Sequence, residues 1–266
     1  MDNRPIGVFD SGLGGLTVVK SIIDNLPNED IIYLGDTARV PYGGRSHEML
    51  TSFVHSDFAF LLSKEVKAIV IACNTADSQT RTVMEKYYNI PIVGVVEPAG
   101  KQAAEYTKTN EIGIIGTSST VESNAYPNII KKYNPDVKVI QVACPLLAPL
   151  VENEKTSKDD IVLRKVLSEY LMSFQNTNID TLILGCTHYP LIRDAIAEFL
   201  PDVRLISSGF ASTHTLIDLL DNNNLRNGMS HPGRIKYYVT DAPEKFAHSA
   251  EMFLSMPISK VELVKI

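Results

Sequence analysis

Ten short aliphatic runs punctuate the 266-residue chain: IGVF (6–9), IIYL (31–34), AIVIA (68–72), IVGVV (92–96), IGII (112–115), VKVIQV (137–142), TLIL (181–184), VRLI (203–206), IKYYV (235–239) and VELV (261–264). A strand with one wet face alternates apolar and polar residues. Most of these runs are continuous and do not alternate, so both of their faces must be covered, which is the condition of a parallel sheet between two layers of helices. Helix-length segments fall between them, at 15–26, 47–64, 77–88, 158–174 and 191–200. In 158–174 the residues Ile161, Val162, Val166, Tyr170 and Leu171 recur at the helical spacing, broken only by Lys165, and predict an apolar face. Strands alternating with helices place the chain in the α/β class.

The strand ends repeat. PIGVFDSG at 5–12 is echoed by EIGIIGTS at 111–118, and VKAIVIACNTA at 66–76 by IDTLILGCTHY at 179–189. Two ordered pairs at similar offsets predict two similar α/β domains related by a pseudo-twofold axis, each with a mostly parallel sheet flanked by helices. The first is expected to span 1–97 and the second 98–207. The last 59 residues (208–266) hold two strands and two helices, too little for a core of ordinary size, and are expected to complete the first domain. The active site then belongs in the cleft between the domains.

Composition narrows the possible functions. A hydrophobic fraction of 44% and a charged fraction of 21% are those of an ordinary globular chain. With 25 Lys and Arg against 31 Asp and Glu, the formal charge of −6 would repel a phosphate backbone, so no nucleic-acid partner is expected. Three cysteines without a C-x-x-C motif indicate neither a disulfide framework nor a zinc site, and fit a reducing cytoplasm. The first residues resemble no export signal and no apolar run approaches the length of a membrane span, so no membrane partner is expected.

In open α/β sheets ligands bind at the carboxyl ends of the strands. Here those ends carry Asp10-Ser11-Gly12, Gly35-Asp36, Cys73-Asn74-Thr75, Gly116-Thr117-Ser118 and Cys186-Thr187-His188-Tyr189. DSGLGG at 10–15, with Asp36 further on, imitates a dinucleotide fingerprint, but Thr17 stands where the third glycine belongs and Asp10 would oppose a pyrophosphate. Gly12, Gly14 and Gly15 therefore read as a turn that either lets the backbone approach a small anion at a helix N-terminus or is simply tight. No cofactor is expected. Cys186 with Arg193 approximates a phosphatase loop but has six intervening residues instead of five, and with His188 it suggests a cysteine hydrolase. His47, His55, His214, His231 and His248 form no ligand pair, so no metal is assigned. Cys144, in VACPLLAP, reads as a buried hydrophobe.

Cys73 and Cys186 occupy corresponding places, each just after a strand and before a helix, where backbone amides favour a thiolate. If the halves face each other, two thiols flank one bound molecule. That arrangement can take a proton from one face of a carbon and return one to the other, so racemisation or epimerisation is the natural reaction class. The competing class is a two-domain binding protein of the periplasmic type, against which the absence of an export signal counts.

DSGLGGLTV (10–18), GDTARVPYG (35–43), ACNTA (72–76) and GCTHYP (185–190) resemble the motifs of the cofactor-independent glutamate racemases, in order and over most of the chain. The resemblance implies conversion of L-glutamate to D-glutamate for peptidoglycan synthesis, with aspartate racemase or another member of the wider family as the alternative. It implies Cys73 and Cys186 as the acid/base pair, assisted by Asp10, His188 and Glu152. It further implies substrate contacts from Asp10, Ser11, Tyr42, Gly43, Asn74, Thr75, Thr187 and His188. Glutamate is the expected small-molecule partner, and a homodimer is the assembly expected with the resemblance. Val40 and Asp77 depart from the residues common in that family, cysteine and a small uncharged residue respectively.

Overall fold

A computed structural model describes residues 1–258 and 260–266. The strands are β1 (Ile6–Asp10), β2 (Ile31–Gly35), β3 (Ala68–Ile71), β4 (Ile92–Gly94), β5 (Glu111–Gly116), β6 (Lys138–Ala143), β7 (Thr181–Gly185), β8 (Arg204–Ser207), β9 (Ile235–Val239) and β10 (Val261–Leu263). Each coincides with one of the ten aliphatic runs. The helices are α1 (Leu16–Asn25), α2 (His47–Leu62), α3 (Asn74–Tyr87), α4 (Val96–Tyr106), α5 (Ser118–Glu122), α6 (Ala125–Tyr133), α7 (Leu147–Glu152), α8 (Ile161–Leu171), α9 (Arg193–Phe199), α10 (Ser208–Asn222) and α11 (Pro243–Leu254).

The strands form two sheets, one of six in the order β10-β9-β2-β1-β3-β4 and one of four in the order β6-β5-β7-β8. Every ladder among the described residues is parallel. The orders β2-β1-β3-β4 and β6-β5-β7-β8 are the same pattern, so the repeated strand ends reappear as the same topology built twice. In each sheet the chain leaves the central strand to one side and then crosses to the other. The loops diverge at that switch and open a crevice at the carboxyl ends of β1 and β3, and again of β5 and β7. Cys73 follows β3 and Cys186 follows β7. β9 and β10 extend the six-stranded sheet at its β2 edge, while α10 packs on both α1 and α4.

All residues of β1, β2, β3 and β7 are buried, as unbroken apolar runs between helical layers must be. Polar N-caps set where several helices start: Ser46 accepts from the Met49 amide before α2, Thr117 from the Thr120 amide before α5, and Asp160 from the Leu163 amide before α8. Packing against the core decides which face of α8 is buried. Leu163, Leu167 and Leu171 turn inward, whereas Ile161 is 84% and Val162 51% exposed, so the apolar face expected from Ile161 and Val162 is corrected by one step around the helix. Among the described residues no helix is long and apolar enough to cross a membrane.

Asp77 has a structural task. Its Oδ2 accepts from the amides of Val95 (2.8 Å) and Val96 (2.7 Å), capping α4 from within α3. Gly94 is required beside it, because a Cβ there would run into the Asp77 carboxylate. The segment leading out of β4 is thereby tied to the helix that Cys73 caps.

Candidate active site

The carboxyl ends of the two sheets enclose a cavity of about 450 Å³. From the six-stranded side it is lined by Ser11, Val40, Pro41, Tyr42, Gly43, Cys73, Asn74 and Thr75. From the other side come Thr117, Ser118, Pro145, Ala148, Pro149, Glu152, Cys186, Thr187 and His188. Both thiols therefore open onto one space, each from its own sheet, and each is 6% exposed.

Cys73 sits at the N-cap of α3, and its thiol donates to the Ser11 hydroxyl at 3.8 Å. Burial and then the neighbouring Asp10 charge push this thiol up to about 12, against the opposing help of the Ala76 amide and Ser11. At neutral pH Cys73 keeps its proton. Cys186 has a different companion: His188 Nδ1 lies 3.6 Å from its Sγ, and His188 Nε2 lies 2.9 Å from Glu152 Oε1. Burial works to lower the His188 pKa, but the contacts with Cys186 and Glu152 outweigh it and raise it from 6.5 to about 10. Burial likewise opposes ionisation of Glu152, yet the His188 hydrogen bond and charge, with Lys245 adding to them, hold its carboxyl below the ordinary range. An imidazolium with both N–H groups directed at partners fits between them. Phe253 of α11 meets the imidazole edge-on at 5.6 Å and helps to seat it.

The two walls are stitched together by hydrogen bonds between residues far apart in the chain. Thr75 and Thr117 share a hydrogen bond of 2.9 Å. Tyr126 donates to Asn74 Oδ1 at 2.7 Å and Asn74 Nδ2 donates to Ser208 at 3.1 Å, leaving one Nδ2 hydrogen uncommitted. Thr17 donates to the Thr187 carbonyl at 2.9 Å, and Thr187 Oγ1 to Asp10 Oδ1 at 3.4 Å.

Of the residues anticipated from the sequence, Ser11, Tyr42, Gly43, Cys73, Asn74, Thr75, Glu152, Cys186, Thr187 and His188 reach the cavity. Asp10 does not. It is fully buried behind the wall, where Oδ2 accepts the Gly12 amide at 2.9 Å; burial raises its pKa while His188 and the Gly12 and Gly15 amides pull it back. The glycine turn thus has its anion within the chain, and the external anion considered for it is replaced by Asp10's own carboxylate. The Tyr42 hydroxyl also points away from the cavity, to Asp36 and Asp57. Thr117 and Ser118, which the sequence places at a strand end without a substrate contact, also line the cavity, and pairing 5–12 with 111–118 sets Thr117 opposite Ser11. Pro145, Ala148 and Pro149, around α7, have no counterpart in the repeat and left no such signal.

The His188 assignment carries a test. Its folded-state pKa of about 10 lies above the ordinary 6.5, so the protonated ring stabilises the fold. That contribution is full below 6.5 and is lost as pH rises through 10. The difference in unfolding free energy between the wild type and His188→Asn should therefore shrink across this window in denaturant titrations. A difference independent of pH would show that the ring is not held as a cation.

Residues 6–215 match the Asp/Glu/hydantoin racemase family. The chain is 40% identical over 264 residues to the glutamate racemase of Geobacter metallireducens, covering 99% of this chain and 97% of that one. Its fold superposes on the crystal structure of a glutamate racemase isoform from Bacillus anthracis with a TM-score of 0.95 at 38% identity, covering 100% of this chain and 99% of that chain. The glutamate racemase of Francisella tularensis, solved in complex with D-glutamate, gives 0.92 at 42% identity, covering 100% and 98%. Matched thiols on facing sheets, the same strand order in both halves and these full-length likenesses lead to one assignment: the chain belongs to the Asp/Glu/hydantoin racemase family.

Proposed function

We propose that the protein interconverts L- and D-glutamate by proton transfer between Cys73 and Cys186. The observation that carries this reading is the presence of two thiols, at equivalent strand ends, on opposite walls of one small polar cavity. Relatives of similar length bear the name glutamate racemase, and one was solved with D-glutamate bound, which favours a five-carbon diacid as substrate.

An α-proton beside a carboxylate is very weakly acidic, so the site must stabilise the charge that develops as it leaves. The free Asn74 N–H, with the hydroxyl of the Thr75–Thr117 pair that accepts within that pair, offers donors for the α-carboxylate at the positive end of α3. Exclusion of water as substrate fills the cavity strengthens each of these contacts. Cys73, protonated at rest, supplies the acid in one direction, while Cys186 receives the substrate proton on the other side with the positive charge of the His188 ring beside it. Reversal of direction exchanges the roles. One thiol and one thiolate must be present together, and the unequal companions of the two cysteines provide for that state.

The same reading puts the enzyme in the cytoplasm as a homodimer, supplying D-glutamate for peptidoglycan synthesis. All three cysteines are free, as suits a reducing compartment.

Deuterated water tests the mechanism. With L-glutamate as substrate and no additive, the D-glutamate formed should carry deuterium at the α-carbon from the first turnovers, while recovered L-glutamate stays unlabelled; L-aspartate should be left unchanged. Label appearing equally early in the recovered starting enantiomer would mean a single base, and no racemisation of glutamate would refute the activity.

A further inference from the structure

Behind the wall formed by residues 40–43 lies a polar cluster that touches neither thiol. Asp36 follows β2, Asp57 lies on α2, and both are fully buried. Arg39 donates from Nε to Asp36 Oδ2 at 2.6 Å and from Nη2 to Asp57 Oδ1 at 2.9 Å. The Tyr42 hydroxyl oxygen lies 2.5 Å from Asp36 Oδ2 and 2.9 Å from Asp57 Oδ2. Thr240 donates to Asp36 Oδ1 at 2.9 Å.

Each of the two contacts at the phenol needs a proton, and a phenol has one. The second must come from a carboxyl group. Asp36 already accepts from Arg39 and Thr240, which favours its anion, whereas among the described residues Asp57 has Arg39 alone besides the phenol. Charge balance agrees. Two ionised carboxylates against one guanidinium would leave a negative charge buried without compensation, and one neutral acid removes it. Burial and the adjacent Asp36 charge both push the Asp57 carboxyl well above its ordinary range.

We propose that Asp57 is a positioning residue: as a neutral acid it donates from Oδ2 to the Tyr42 hydroxyl, which donates to the Asp36 carboxylate, and this one-way chain holds Tyr42 and Gly43 in place against the substrate. On its other side the loop stands about a methyl group's breadth from the opposite wall. A methyl group placed on Gly43 would lie 3.4 Å from Thr117 Cβ of the opposite wall, so a shift of the Tyr42 anchor alters the width of the cavity. The thiols stand outside the chain of contacts, so its loss is felt in binding more than in turnover. The kinetic part of this inference rests on the racemase reading, whereas the location of the proton does not.

Asp57→Asn keeps a neutral donor toward Tyr42 and an acceptor toward Arg39; Asp57→Leu removes both. For glutamate racemisation, Asp57→Leu should raise KM on the order of tenfold with kcat little changed, and Asp57→Asn should restore KM to within about twofold of wild type. In infrared difference spectra at neutral pH, wild type minus Asp57→Asn should show the carbonyl band of a protonated carboxylic acid. Carboxylate bands in its place, or an Asp57→Asn enzyme as impaired as Asp57→Leu, would overturn the proposal. If Asp57→Leu fails to fold, Tyr42→Phe cuts the chain of donors at its middle and should raise KM in its stead; a KM at the wild-type value there would also overturn it. A wild-type protein that does not racemise glutamate refutes the racemase reading, and the infrared band still decides the state of Asp57.

Discussion

Cys73→Ser and Cys186→Ser should each lower the rate of glutamate racemisation on the order of 10³-fold, and in both directions. Serine keeps the shape of the side chain, so the loss isolates chemistry from packing. A hydroxyl is far weaker than a thiol as an acid, and its alkoxide is not populated at neutral pH, so it can neither serve as the resting base nor give up a proton readily. Because every turnover uses one group as base and the other as acid, neither variant should spare one direction. Cys144 is the control. It is fully buried, does not line the cavity and donates to the Val142 carbonyl at 3.6 Å. Cys144→Ser should leave racemisation within about twofold of wild type and cost about 1 kcal/mol of stability, for burying a hydroxyl where a thiol packed. Circular dichroism to confirm folding, with racemisation followed by optical rotation from either enantiomer, reads all three variants. A Cys73→Ser or Cys186→Ser enzyme within tenfold of wild type would sink the two-thiol mechanism.

The second large effect belongs to a residue with no side chain. A Cβ at Gly14 would sit 2.6 Å from both Cε1 and Nδ1 of His188, and closer still to Thr187 Oγ1. Neither obstacle is the loose end of a flexible chain: His188 is clamped between Cys186 and Glu152, and Thr187 between Asp10 and Thr17. Gly14→Ala must therefore displace the imidazole from Cys186 or part the two walls. A displacement of about 1 Å at a proton-transferring group is enough to cost on the order of 10²-fold in kcat. The expected result is a folded protein whose kcat falls by that factor and whose alkaline activity limb moves below that of the wild type, since the ring loses the partners that hold its proton. Stopped racemisation assays across pH would read both. A kcat near the wild-type value would mean that the walls tolerate the methyl group, and that close approach at Gly14 does not set the position of His188.

What the sequence alone carries is local and periodic. The continuous runs of β1, β2, β3 and β7 declared covered parallel strands, because burial on both faces leaves a mark in every residue of a strand, whereas β6 and β10, whose runs carry Lys138, Gln141 and Glu262, are only partly covered. Pairing of strand ends singled out Cys73 and Cys186, because a residue that follows a strand is placed by that strand whatever the rest of the chain does. The resemblance in four motifs brought in most of the cavity lining. The side-chain directions were settled only in three dimensions. Asp10 leaves β1 among lining residues, yet turns inward to the Gly12 amide; Tyr42 reaches the cavity but spends its hydroxyl on Asp36 and Asp57. The apolar face of α8 began at Leu163 and not at Ile161, since its packing, rather than the count of apolar residues, set the rotation of the helix. Glu152 meets His188 from 36 positions away, and Thr17 meets Thr187 from 170. Contacts of that kind depend on how the two sheets are set against each other. No window of sequence carries that information, because hydrogen bonds between distant side chains leave no period for a reader to find.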